Sequence, residues 1–206
     1  MKIAIIGAGG VGQTLAKRFL ETGAVVTFGV RDPADAKNAA AAALAPLKTP
    51  AAAASAADIV LLALPSRAPD GAITDLGDLT GKIVIDATNP INATFSGLDS
   101  GDDRSGGERT QRLAPGARVV KAFNTIGTDI MADPSFAGGR PALAIAGDDA
   151  DAKAIVSALA AKVGFAPYDA GPLVAARSTE AVAWHWIEMA IKFGRGRQFA
   201  FALLER

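Results

Sequence analysis

Apolar positions along this chain follow two rhythms. Short unbroken runs, such as Ile3 to Ile6 and "DIVLLALP" (58–65), suit strands buried on both faces. Elsewhere apolar residues recur four apart, as at Val11, Leu15 and Phe19, and form one stripe along a helix. The pattern predicts strands at 2–6, 24–30, 46–48, 58–65, 82–90, 118–125, 141–147 and 165–171. Helical stretches separate them, including "ADAKNAAAAAL" (34–44) and 149–163. The alanine-rich tract to Ala57 reads as two short helices around a short strand, because alanine is the best helix former. Such alternation predicts an α/β chain with a doubly wound, mostly parallel sheet of Rossmann type.

The first strand collapses into glycine. Gly7, Gly9 and Gly12 match G-x-G-x-x-G between a strand and a helix, with Ala8, Gly10 and Val11 completing the loop. In that setting Gly7 permits the tight turn, Gly9 lets backbone approach a pyrophosphate, and Gly12 lets helix and strand pack closely. The N–H groups at the helix start then face the phosphates. Read instead as a secretory signal, "MKIAII" is too short and ends in glycine with no cleavage site.

The end of the second strand selects the nucleotide. An acidic residue there would bind a ribose hydroxyl. Asp32 followed by Pro33 reads instead as a helix cap and first-turn pair, leaving Val30 in the strand-end slot. Arg31 is then placed to meet a 2′-phosphate, which favours NADP(H) over NAD.

Further along, Ser96 to Gly106 is rich in Gly, Ser and Asp and reads as a mobile loop. Ser105 and Glu108 have capping-box spacing, so a short helix is expected to start there. Arg104, Arg109 and Arg112 read as a solvated face of that helix, with an anion-binding role as the alternative. From Leu173 to Phe193 the chain reads as helix with two apolar stripes. Val182, Trp186, Met189 and Phe193 form one, and Trp184, Ile187 and Ile191 the other. A helix apolar on two faces is sandwiched, so one face is expected on its own core and the other on a second subunit, as a homodimer. His185 between two tryptophans reads as a packed core or interface residue. Residues 1–170 are therefore expected to form the nucleotide-binding domain and 171–206 a small C-terminal helical cap.

Composition narrows the function. The chain has 206 residues, no net charge, no cysteine and one histidine. That balance points away from nucleic acid and anionic membranes, and no apolar stretch has the length of a span. Lack of cysteine removes disulfides and thiolate chemistry, makes a metal centre unexpected, and fits a cytoplasmic protein.

Several motifs occur together in order: "IAIIGAGGVGQTLAKRF", "VTFGVRDP", "DIVLLALP", "VIDATNP", "VVKAFNT", "AIAGDDADAK" and "DAGPLVAAR". As a set they resemble the family of coenzyme F420-dependent NADP oxidoreductases. They also resemble the oxidoreductase domain of the STEAP metalloreductases, especially at "KAFNT". The resemblance implies an NADP(H) enzyme passing a hydride to a flavin or deazaflavin, with F420, FMN or FAD as the candidate second substrate. It implies that Gly7 to Gly12 hold the pyrophosphate and Arg31 the 2′-phosphate. Leu64, Pro65 and Ser66 would border the nicotinamide. Asn89, Pro90, Phe123, Asn124 and Thr125 would line the transfer site. The chain departs from F420-dependent members at Val30, where they often carry serine, and in the loop around 96–106.

Hydride transfer between flat rings needs positioning more than acid–base help. Asn89 and Asn124 suit that task, since each amide both donates and accepts. Turn chemistry is the plainer account of "TNP". Two other functions remain open: a reductase of a quinone or ferric chelate, and a non-catalytic NADP(H)-sensing module.

Overall fold

The computed structural model of the chain describes residues 1–66, 68, 70–101, 103–204 and 206. Strand β1 (Lys2–Ile6) leads into α1 (Gly10–Glu21) and β2 (Val25–Gly29). A 3₁₀ turn at Ala36–Asn38, α2 (Ala39–Ala42), β3 (Leu47–Lys48), α3 (Pro50–Ser55) and β4 (Ile59–Leu62) follow. Then come α4 (Gly71–Thr74), β5 (Ile83–Asp86), α5 (Gly106–Leu113), β6 (Arg118–Lys121) and α6 (Thr128–Ala132). The last elements are β7 (Ala142–Gly147), α7 (Ala150–Lys162), β8 (Ala166–Gly171) and α8 (Ala176–Ile187), which runs on as a π-helical turn at Glu188–Lys192. The alanine tract does form two short helices around a short strand. Pro50 occupies the first turn of α3, while the Thr49 hydroxyl makes no capping bond.

The eight strands form one sheet in the order β3-β2-β1-β4-β5-β6-β7-β8. The order reverses at β1, with β2 and β3 to one side and β4 to the other. That reversal is the switch point at which open α/β sheets bind ligands. From β3 to β6 every pairing is parallel, so the carboxyl ends of β1, β2, β4, β5 and β6 share one edge. β7 enters antiparallel to β6, and β8 runs parallel to β7. Strand–helix alternation does not encode this change of direction. Between β6 and β7 the chain makes only the short α6 and does not cross back to the amino-terminal edge.

Every residue of β4 and β5 is buried, as expected for strands covered on both faces. One layer packs Leu15 and Phe19 of α1 and Val156 and Leu159 of α7 against Phe28, Phe123 and Phe165. Phe123 meets Phe19 and Phe165 edge-on, with ring centroids 5.9 and 6.1 Å away. Each such buried ring contributes about 1.5–3 kcal/mol. The opposite layer packs the alanines of α3 with Leu76, Leu79 and Leu173. Small side chains matter here, because the Cα of Pro50 lies 3.0 Å from where a Cβ on Gly29 would stand.

The C-terminal helix docks through Trp186. Its ring occupies the space above Gly127, where a Cβ would lie 2.4 Å from the indole. The indole N–H donates to the Phe199 carbonyl at 3.0 Å, and the two rings stack. The expected apolar stripes are only partly covered: Trp186 is buried, but Val182, Ile191 and Phe193 are 40%, 55% and 70% exposed. His185 is not a packed core residue; it is exposed and stacks on Phe201. Among the described residues, no helix is long and apolar enough to cross a membrane.

Candidate functional site

The glycine loop stands at the switch point. Gly7 follows β1 with φ 110°, a conformation that side chains rarely adopt, and donates its N–H to the Gly29 carbonyl at 3.1 Å. A Cβ on Gly7 would lie 2.4 Å from the Ala63 carbonyl oxygen, and one on Gly12 would lie 2.2 Å from that of Gly7. These two glycines therefore let three pieces of backbone meet. Gly9 differs: it is exposed and a Cβ there would touch nothing within 4 Å. It is the N-cap of α1 and lacks a side chain to cap the first N–H groups. Ala8 and Val11 are half-buried, and the Gln13 side chain donates to the Ala8 carbonyl at 2.7 Å. The loop thus offers open space beside an uncapped helix start, which fits a pyrophosphate.

At the tip of β2, Val30 is buried and donates its N–H to Lys48. Arg31 is exposed, with no ion-pair partner among the described residues. The helix cap expected at Asp32 sits three residues later. Asp32 accepts the Ala34 N–H in a tight turn, and Asp35 caps the 3₁₀ turn by accepting from Lys37. The short Asx turn closes before any helix can start at Pro33. Both carboxylates are thus engaged locally, and Arg31 is the polar group left at the strand end.

Beyond β4, Leu64 and Ser66 are half-buried and Pro65 is exposed. Together with Thr88, Pro90 and Arg109 they border a small cleft at the carboxyl edge. Asn89 and Asn124, expected as separate ligand contacts, are bonded to each other. The Asn89 Nδ2 donates to the Asn124 backbone carbonyl at 2.8 Å, and the Asn124 Nδ2 donates to the Asn89 Oδ1 at 3.1 Å. The backbone carbonyl can only accept, so it fixes which way Asn89 points, and Asn89 in turn fixes Asn124. The Oδ1 of Asn124, a residue only 5% exposed, is buried without a partner among the described residues. An unsatisfied buried acceptor is costly, and a ligand N–H would relieve it.

Phe123 does not line this cleft with its ring. It is fully buried in the core, and its contribution is conformational: φ of 65° turns the chain after β6. Thr125, 8% exposed, follows in the same turn.

Sequence reasoning missed the charged cluster beneath the asparagines. Lys121, Asp86 and Glu180 are buried together, with the ammonium 3.1 Å from Asp86 and 2.7 Å from Glu180. Burial alone drives the Lys121 pKa down, but the charges and hydrogen bonds of the two carboxylates outweigh it, and the net shift is upward. A lysine in the middle of "VVKAF" was the available signal, since that run is otherwise a buried strand.

The helix after the loop begins as expected. The Ser105 hydroxyl accepts the Glu108 N–H at 3.1 Å and donates to its carboxylate at 2.8 Å. Its arginines are not simply a solvated face. Arg109 pairs with Asp70, and Arg112 with Asp103. Glu108 is held by Arg177 of α8 at 2.9 and 2.5 Å. A separate groove beside Arg18, Asp133 and Arg140 lies at the far end of α1 from Gly9.

The family model described as NADP oxidoreductase, coenzyme F420-dependent, matches residues 2–90. The metalloreductase STEAP3 of Rattus norvegicus is 33% identical over 184 residues, 88% of this chain. The chain spans 36% of that protein's length. A proposed F420-dependent NADP reductase from Arthrobacter sp. FB24 superposes with TM-score 0.89 at 33% identity, covering all of both chains. The hypothetical protein SMa0349 from Sinorhizobium meliloti superposes with TM-score 0.75 at 33% identity, covering all of this chain and 96% of its own.

Proposed function

The chain belongs to the family of coenzyme F420-dependent NADP oxidoreductases, and from that premise we propose that it transfers a hydride between NADP(H) and a flavin or deazaflavin. One observation carries the reading: the open Gly9, the exposed Arg31 and the Asn89–Asn124 pair all stand on one edge of the sheet, around the switch point. NADPH bound there would supply the hydride. Gly7 to Gly12 take the pyrophosphate, with Ala8, Gly10 and Val11 contributing backbone. Arg31 takes the 2′-phosphate by charge-assisted hydrogen bonds. Leu64, Pro65 and Ser66 border the nicotinamide, and Pro90 and Thr125 flank the place where the rings meet. Asn124 offers its unpartnered Oδ1 to a ring amide, which sets the ring's angle without any proton transfer.

Residues 1–170 serve as the cofactor domain and 171–206 as its cap and dimer contact. The second reading is another small acceptor, a ferric chelate or a quinone, and a relative named a metalloreductase favours the chelate.

Anaerobic oxidation of NADPH is the test, run against F420, FMN, FAD, benzoquinone and ferric citrate. Reduction of F420 or a flavin is expected. Reduction of ferric citrate or benzoquinone alone would establish the second reading. NADPH binding without oxidation by any of them would sink the enzyme and leave a sensor.

A further inference from the structure

The tips of β5 and β6 are clamped twice. Asp86 and Lys121 face each other in register as an ion pair. Three residues further along each chain segment, Asn89 and Asn124 exchange amide hydrogen bonds. Thr88 lies between the clamps. Its N–H and hydroxyl both donate to the Asp86 Oδ1, at 2.9 and 2.7 Å. Its carbonyl accepts from the Lys121 Nζ at 2.7 Å. Every backbone polar atom of the residue before Asn89 is thus fixed by the ion pair.

Glu180 brings in α8. Its carboxylate meets Lys121 and accepts the N–H groups of Gly106 and Gly107 at 3.0 and 3.1 Å. Gly107 permits that approach, since a Cβ there would lie 2.8 Å from the Cβ of Ala176. All three donors of the Lys121 ammonium are used: one on Asp86, one on Glu180, one on Thr88.

Stability is a weak reason for such a cluster. Replacing buried ions by well-packed apolar groups is often neutral or stabilising. Proton donation is no better a reason, because the ammonium is fully buried between two carboxylates. What the cluster delivers is the fixed position of Thr88, and so of Asn89.

We propose that Lys121 is a positioning residue for the Asn89–Asn124 pair, and that Glu180 makes the C-terminal helix part of that support. The inference rests on the reading of those asparagines as ring-positioning groups.

The test uses the full chain without cofactor. The side-chain amide NMR signals of Asn89 and Asn124 are compared between wild type and Lys121→Met. Their protons are expected to exchange at least about tenfold faster in the variant and to move toward free-amide shifts, while backbone amides of β1 and α1 stay as they are. Unchanged asparagine signals would overturn the proposal. If Lys121→Met fails to fold because two carboxylates are left facing each other, the D86N/K121M/E180Q variant removes the charges together and is read the same way. A second readout is single-turnover NADPH oxidation by FMN or F420. Oxidation should slow about tenfold or more at unchanged NADPH affinity. In a cycle with Asn89→Ala the two losses should overlap instead of adding. Full additivity would mean that Lys121 does not act through Asn89. If wild type oxidises NADPH with none of F420, FMN and FAD, the flavin or deazaflavin reading fails, while the amide signals still decide what Lys121 does to Asn89.

Discussion

A Cβ placed on Gly12 would stand 2.2 Å from the carbonyl oxygen of Gly7, whereas one placed on Gly9 would touch nothing. Two glycines of one loop thus answer to different constraints, folding and ligand access. Gly12→Ala forces backbone against backbone and should cost about 3 kcal/mol. For a chain of this size that is a fall in Tm of about 6–12 °C. Gly9→Ala should leave Tm unchanged and weaken NADPH binding by about 1–3 kcal/mol, because the added methyl fills the space above the helix start. Melting curves and NADPH titration of both variants make the check. A Gly9→Ala protein that binds NADPH like wild type would refute the phosphate site.

Arg31 should discriminate between cofactors. Its guanidinium is exposed at the end of β2, and the neighbouring carboxylates are engaged in turns. Arg31→Ala is expected to weaken NADPH by about 1.5–3 kcal/mol, the worth of a hydrogen bond to a charged group, and to leave NADH nearly untouched. Equal losses for the two, measured by fluorescence titration, would remove the 2′-phosphate assignment.

Local signals were the readable ones. The glycine loop, the Ser105–Glu108 box and the helix from Asp149 all rest on residues within one turn of each other, and they appear where the pattern puts them. The cap at Asp35 was misplaced onto Asp32 because both residues offer the same chemistry, and only the closing of the Asx turn separates them. Features that depend on distant partners were not readable. Lys121 meets Asp86 and Glu180 from two other elements, and nothing beside it in the chain names them. Asn89 and Asn124 were seen singly, yet each is the other's partner. The ring of Phe123 was placed at the site by its neighbours in "KAFNT", but a positive φ turns it into the core instead.

Acid should loosen the tie between α5 and α8. The hydrogen bond from Arg177 holds the Glu108 carboxyl below its ordinary pKa; burial opposes that shift, and Ser105 assists it. A carboxyl whose pKa is lowered by folding contributes stability above its unfolded pKa and loses it as pH falls through the folded one. The pair is partly exposed, so the contribution is at most about 1 kcal/mol. Wild type should therefore exceed Glu108→Gln in urea stability at pH 7, and the gap should close below the ordinary glutamate range of about 4.3. A gap that does not narrow at all as pH falls from neutral into the acid range would mean the glutamine variant is damaged by packing and not by loss of the ion pair.

The end of α8 predicts an oligomer. Ile191 and Phe193 are more than half exposed, and Val182 lies on the same helical segment. Large apolar groups left exposed on one helical segment are candidates for an interface, and symmetric dimers are the commonest closed assembly. Light scattering should give twice the chain mass, and Phe193→Glu combined with Ile191→Glu should halve it. A wild-type monomer at high protein concentration would refute the dimer.

The sharpest test of the site falls on Asn124. Its Nδ2 is committed to Asn89, and its buried Oδ1 has no partner, so the group is oriented before any ligand arrives. Preorganised groups of this kind act on geometry more than on affinity. Asn124→Leu should slow single-turnover hydride transfer by up to about a hundredfold, the loss that a small misplacement of reacting rings can cause. NADPH affinity should hold, because the glycine loop and Arg31 bind the remote end of the cofactor. Leucine also frees the Asn89 Oδ1, so an accompanying fall in stability of about 1–3 kcal/mol is expected. A wild-type transfer rate would reduce Asn124 to a turn former. Loss of affinity in step with rate would mean that it grips the cofactor instead of aligning it.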